Sequence, residues 1–293
     1  MHGRRQHFRY LTQPGGRGMV PHKIKNWDDA YANMTNVPNG ATYPDLWTEL
    51  STAYRKELQA EGRLETGIPY GPHERNRFDL FLPKNEPVGI HVFIHGGYWM
   101  RFDNSYFAHL AEGSLGHGWA VAMPSYPLCP EVTVPDITSD IALAIETIAA
   151  RIAGPLVVSG HSAGGHLATR MICKDTRLAS GTLARIRRVM SISGVHDLRP
   201  LLNLELNNTL QLDLATASDE SPALHHPAAA IPLVCWAGAG ERSEFIRQNA
   251  LLANIWTGLG AETLCIEQPD RHHFNVVDDL READSSMMAI LLA

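Results

Sequence analysis

Alternating strand and helix signals from about residue 64 onward predict an α/β protein, a mostly parallel central sheet with helices on both faces and small cap elements. Three observations carry that expectation. Short apolar runs ended by turn residues recur along the chain: "GIHVFIHGG" (89–97), "WAVAMPSY" (119–126), "PLVVSG" (155–160), "IRRVMSISG" (186–194) and "IPLVCWAG" (231–238). Between two of them, residues 136–154 set Ile141, Ile145, Ile148 and Ile152 on one helical face and end in Gly154. The 293 residues, 44% apolar and 19% charged, suffice for one large core.

The remaining elements follow in order. "RFDLFLP" (77–83) alternates apolar and polar residues, as a half-buried strand does, and "ETLCIEQ" (262–268) supplies a last strand. Helical patterns cover residues near 162–174, 242–258 and 275–291. Two regions break the rhythm: 24–62, with a helix-like stretch ending near Glu61, and 198–230, rich in Leu, Asn and Asp. Both are expected as caps over a site at the carboxyl edge of the sheet, where open α/β sheets bind ligands. Residues 1–23 are expected as a flexible N-terminal extension, and 63–293 as the catalytic domain.

Composition narrows the function. A formal net charge of −6 provides no basic stripe for nucleic acid, and no apolar run approaches the ~20 residues a membrane helix needs. The basic start lacks the apolar stretch of a secretory signal, so a cytoplasmic location is expected. Cys129, Cys173, Cys235 and Cys265 show no paired spacing and are expected as buried free thiols. Neither a phosphate loop nor a dinucleotide fingerprint occurs, and His225 with His226 lacks a third metal ligand, so no cofactor or metal is implied. A homodimer is compatible with the sequence, which fixes no oligomeric state.

The chemistry concentrates at Gly160-His161-Ser162-Ala163-Gly164, a G-x-S-x-G between a strand and a helix. A serine on so sharp a turn is presented for attack, and a side chain two residues to either side would clash. Such a serine needs oxyanion donors, a base and a group to orient that base. His95-Gly96-Gly97-Tyr98-Trp99 follows a buried strand upstream, so the amides of Gly96, Gly97, Tyr98 and Ala163 are the expected donors. "RHHFNVVDDL" (271–280) offers the base after the last strand, with His273 preferred to His272 because it directly precedes Phe274 and the helical pattern. Chain order puts the acid after "IPLVCWAG", where Glu241 stands in the loop. Glu244, a helical turn further on, and Asp197, just after the preceding strand, are the alternatives.

Together "HGGYW" (95–99), "SYPLCPE" (125–131), the serine elbow and "HHFNV" (272–276) resemble the α/β-hydrolase superfamily. More narrowly, they resemble the kynurenine formamidase (arylformamidase) group, related to the hormone-sensitive-lipase-like esterases. The resemblance spans residues 65–290 and implies Ser162 as nucleophile, His273 as base and Gly96–Tyr98 as oxyanion loop. Two positions depart from the family. Gly240 stands where the loop Asp is usual, which moves the acid to Glu241 or elsewhere, and Asn104 stands where a lysine is common.

The implied reaction is cleavage of an aryl formamide such as N-formyl-L-kynurenine through an acyl-enzyme. A carboxylesterase, or an amide or carbamate hydrolase for small aryl compounds, would use the same apparatus. A hydrolase-fold binding protein that has lost its acid is the reading outside catalysis. The partner expected of the enzyme is a small aryl substrate. Tyr98, Trp99, His161 and Trp27 are the expected substrate contacts, with Arg101 as a partner for a substrate carboxylate.

Overall fold

The structure, a computed structural model, describes residues 23–293. The N-terminal extension expected over residues 1–23 therefore lies, except for Lys23, outside the described residues.

Two short helices lead, α1 (Trp27–Tyr31) and α2 (Asn33–Asn36), and Asn26 caps α1 by accepting from the amide of Asp29. Next comes α3 (Tyr43–Ala60), which buries Trp47 and Leu58. β1 (Leu64–Pro69) has no apolar run to announce it, because it lies largely exposed at one edge of the sheet. It is followed by β2 (Arg77–Phe81), β3 (Ile90–Ile94), α4 (Glu112–Gly116) and β4 (Ala120–Pro124). α5 (Val134–Arg151) starts on a reciprocal cap, in which Thr133 and Asp136 each satisfy the other's backbone amide. After β5 (Leu156–His161) come α6 (Ala163–Arg170), α7 (Ser180–Arg185) and β6 (Ile186–Ile192). The 198–230 region carries α8 (Asn207–Leu210) and α9 (Leu214–Asp219). β7 (Leu233–Gly238), α10 (Ser243–Gly258), β8 (Thr263–Gln268) and α11 (Ser286–Leu292) complete the chain. No described helix is long and apolar enough to cross a membrane.

The eight strands form one sheet in the order β1-β2-β4-β3-β5-β6-β7-β8. β2 pairs antiparallel with β1 and β4, and every pair from β4 through β3 to β8 is parallel. Two hydrophobic clusters lie on its two faces. Along β3, Ile90, Val92 and Ile94 join the cluster that contains Ile141, Ile145 and Ile148 of α5 and Leu252 of α10, while Phe93 joins the one holding Trp47, Leu58 and Leu291. That alternation is the two-residue period of a strand covered on both sides.

Four details differ from the sequence reading. β2 is buried at four of its five positions rather than half-buried, because it lies inside the sheet. Asp79, whose charge made the strand look amphipathic, is paired 2.5 Å from Arg55 of α3 and accepts the amide of Gly67. Residues 275–291 form a 3₁₀ turn, Val276–Leu280, and then α11, separated where Ser285 caps α11 by accepting from the amide of Met288. Ile152 falls just past the end of α5, as its C-cap. Cys265 is exposed because β8 is the other edge strand, whereas the remaining three cysteines are buried, and all four are free.

Candidate active site

The carboxyl ends of five strands converge. β5 ends at His161 and Ser162 follows with φ 56°, ψ −117°, a left-handed conformation that a serine adopts only when its surroundings impose it. Here they do. A Cβ on Gly160 would sit 2.1 Å from the carbonyl oxygen of Gly164, and one on Gly164 would sit 2.0 Å from that of Ile94. The amide of Ser162 donates to the carbonyl of Ile192 on β6 (2.8 Å), which anchors the turn to the neighbouring strand.

His273 comes from the loop after β8. Its Nε2 lies 3.2 Å from Ser162 Oγ, and its Nδ1 lies 2.8 Å from Glu241 Oε2. Glu241 sits in the loop after β7, and its other oxygen accepts from Ser193 Oγ (2.5 Å) and from the amide of Gly238 (2.7 Å). The two remaining acids are engaged elsewhere. Asp197 forms a bidentate pair with Arg199 (2.8 and 2.9 Å), which holds its carboxyl below the usual range against the opposing effect of burial. Glu244 accepts from Arg247 and from the hydroxyl of Tyr31. His272, rejected as base, faces Tyr43 with its Nε2 at 3.1 Å from the phenol oxygen.

The loop after β3 lies against the serine. Gly96 is so close that a Cβ there would meet His161 O at 2.7 Å and Ser162 Cβ at 3.0 Å, and Gly97 has φ +112°. Tyr98 and Trp99 also take positive φ, 52° and 56°. The amides of Gly97, Tyr98 and Ala163 have no acceptor among the described residues. Three free donors beside one serine hydroxyl can receive an oxyanion.

His161 is 3% exposed, and burial with the neighbouring His273 pushes its pKa well below the ordinary histidine value. It is therefore neutral, and its Nε2–H donates to the carbonyl oxygen of His273 (2.8 Å).

A cavity of about 250 Å³ opens above the serine. Gly96, Gly97, Tyr98, His161, Ser162 and His273 form its floor, and Arg101 reaches it as well. Its apolar wall comes from Met34, Trp47, Met100, Phe102, Phe107 and Phe274. The 24–62 region adds Asp28, Tyr31 and Asn33, and the 198–230 region adds Leu204 and Leu206. Two expected contacts are corrected. Trp99 is 0% exposed, because the run of positive φ turns its ring under the loop, edge-on to His166 at 5.1 Å. Trp27 packs on the main core, because the α1 stripe that meets the cavity holds Asp28 and Tyr31, three residues apart. Sequence periodicity missed Trp47, Phe107 and Asn33 as lining residues, and also Ser193, whose only signal was its place directly after β6.

The fold and the sequence both have known relatives. A family model described as BD-FAE matches residues 78–226, just over half of the chain. The kynurenine formamidases of Salmo salar and Drosophila melanogaster are 24% and 25% identical to it. The alignments cover 80% of this chain and 83% of the salmon protein, and 79% of this chain and 78% of the fly protein. A crystal structure from Silicibacter sp. TM1040, provisionally described as a thioesterase, shares 42% identity and superposes with TM-score 0.86 over 91% of this chain and 98% of that one. The hyperthermophilic esterase of Pyrobaculum calidifontis, 18% identical with TM-score 0.65 over 86% of this chain and 94% of its own, shares the fold. This sheet order, with a glycine-flanked serine at the end of its fifth strand, is therefore that of an α/β-hydrolase, and the chain is a hydrolase belonging to the BD-FAE family.

Proposed function

We propose that this hydrolase cleaves a small aryl formamide, of the N-formyl-L-kynurenine kind, with Ser162, His273 and Glu241 as its triad. The observation that carries the reading is the continuous hydrogen-bonded chain from Glu241 through His273 to Ser162 at the floor of a small apolar cavity. The 24% and 25% identical kynurenine formamidases support the substrate class.

In this mechanism His273 takes the hydroxyl proton as Ser162 Oγ bonds to the formyl carbon. The oxyanion is received by the amides of Gly97, Tyr98 and Ala163. Glu241 stabilises the imidazolium, itself fixed by Ser193 and Gly238. The C–N bond then breaks as His273 delivers the proton to the departing arylamine nitrogen. Water adds to the formyl-enzyme with its proton going to His273, and Ser162 regains that proton as formate leaves. The aryl ring packs among Trp47, Phe107 and Phe274, with Arg101 as partner for a carboxylate on the leaving group. Residues 24–62 and 198–230 act as the cap that excludes water from this site.

The second reading is hydrolysis of an ester or thioester, supported by the 42% identical protein provisionally described as a thioesterase. kcat/KM for N-formyl-L-kynurenine measured beside p-nitrophenyl acetate, with Ser162→Ala as blank, separates them. The formamide is expected to be preferred by at least about 100-fold after correction for background hydrolysis. Turnover of the ester alone would discard the formamide and keep the triad. The reading of a binding protein without its acid loses its basis, because Glu241 reaches His273 where Gly240 cannot.

A further inference from the structure

Asn33, the first residue of α2, lines the cavity above Ser162 and is only 4% exposed. Among the described residues, neither its Nδ2 nor its Oδ1 has a hydrogen-bond partner. Among the described residues the other buried side-chain amides are each held at one end or both. Gln248 accepts from the amides of His196 and Asp197 and donates to the carbonyl of Asp197. Asn76 Oδ1 accepts from the amide of His73, and Asn249 Nδ2 donates to the carbonyl of Ile266. A buried donor and acceptor left without partners destabilise the empty protein, so such a pair in a cavity wall calls for a ligand that completes it.

We propose that Asn33 is a specificity-determining residue that binds a second polar group of the substrate, away from the scissile bond. The inference rests on the formamide reading, in which a one-carbon acyl group leaves every other substrate atom on the amine side. A carboxamide offers a donor and an acceptor side by side, so the group it complements is one that does the same: another carboxamide or an α-amino-acid terminus. Met34, Trp47, Phe107 and Phe274 offer that group no side-chain hydrogen-bonding alternative on their part of the wall, apart from the indole of Trp47. Sites that hydrogen-bond a substrate group reject analogues lacking it far more strongly than apolar pockets reject a missing methylene.

The test is a selectivity ratio in wild type and Asn33→Leu. The ratio is kcat/KM for N-formyl-L-kynurenine, which carries an amino-acid terminus, over that for formanilide, which carries no second polar group. A fall of about tenfold is expected on losing one such contact. A fall of roughly fivefold or more supports the assignment, and anything smaller overturns it. The melting temperature separates a merely structural amide. Removing an unpartnered buried carboxamide should leave it unchanged or raise it, and a drop with an unchanged ratio counts against the proposal. Should the wild type hydrolyse esters and neither formamide, the formamide reading fails by itself. The same threshold then applies to the ratio of 4-acetamidophenyl acetate over phenyl acetate, which decides Asn33 independently.

Discussion

His161 Nε2 donates to the carbonyl oxygen of His273 across 2.8 Å, so the residue before Ser162 holds the backbone that carries Ser162's own imidazole partner. The two rings lie 4.8 Å apart, and Phe245 closes the other side of His273 with its centroid at 4.5 Å. The elbow and the histidine loop are thereby one unit, although 111 residues separate Ser162 from His273.

Substituting His161→Ala should therefore lower kcat by about 10- to 100-fold with little change in KM, since positioning rather than uniform binding is lost. His161→Gln keeps a donor in reach and should recover part of the rate. An alanine variant with wild-type kcat would refute the positioning role.

Glu241 is expected to carry the orienting role that Asp197 and Glu244 could have filled. Glu241→Gln should lower kcat by ~10²–10⁴-fold, while Asp197→Asn should cost less than about threefold. The reverse order in steady-state assays would transfer the role to Asp197. Glu241→Gln should still react with a fluorophosphonate, only more slowly, because Ser162 and the three free amides are unchanged.

Acid should unfold this protein early. Burial holds His91, His109, His166 and His196 down to about 3 and His95 to about 4, and it takes His161 well below its ordinary value. The unfolded chain binds protons at these six histidines below pH ~6.5 while the native state refuses them, so their stabilisation is present above that pH and lost as pH falls. The five held at about 3 or 4 each contribute a loss of about 2 kcal/mol by pH 5, together on the order of 10 kcal/mol, comparable to a whole domain's stability, and His161 acts in the same direction. Asp278 runs the other way. Burial raises its carboxyl to about 6 and pushes that of Asp140 up as well, so their contributions favour folding at low pH and fade as pH rises, but they are two groups against six. Thermal melts at pH 7.5 and 5.0 should differ by more than about 15 °C. Equal melting temperatures would contradict the buried neutral state of these rings.

Gly164→Ala should fail to fold or should lose about 3 kcal/mol or more, because the new methyl would sit 2.0 Å from the backbone oxygen of Ile94. Gly181→Ala, whose added Cβ meets no described atom within 4 Å beyond its own helix, serves as the control and should be neutral or slightly stabilising. Circular dichroism and melting of the two variants check both statements.

The elements with strong local signatures were legible in the chain. The buried central strands β3, β5, β6 and β7 are runs that only a doubly covered sheet requires, and Gly160 and Gly164 are needed wherever a serine sits on so tight a turn. Ser162 and His273 followed from chain order and from their places after strands. β1 was not legible, because an edge strand with little burial leaves no apolar period to read.

What only the tertiary structure decided is what depends on where side chains point across the fold. Glu241 rather than Asp197 meets His273 because Arg199 holds the aspartate while Ser193 and Gly238 hold the glutamate. Trp99 turns into the core and Trp47, from a helix more than 100 residues upstream of Ser162, takes a place in the cavity wall. Asn33 acquires its unpartnered amide only when α2 is laid over the strand ends. Residue order fixes local periodicity and backbone sterics, whereas pairings across tens to hundreds of residues are set by packing geometry, which local periodicity does not encode.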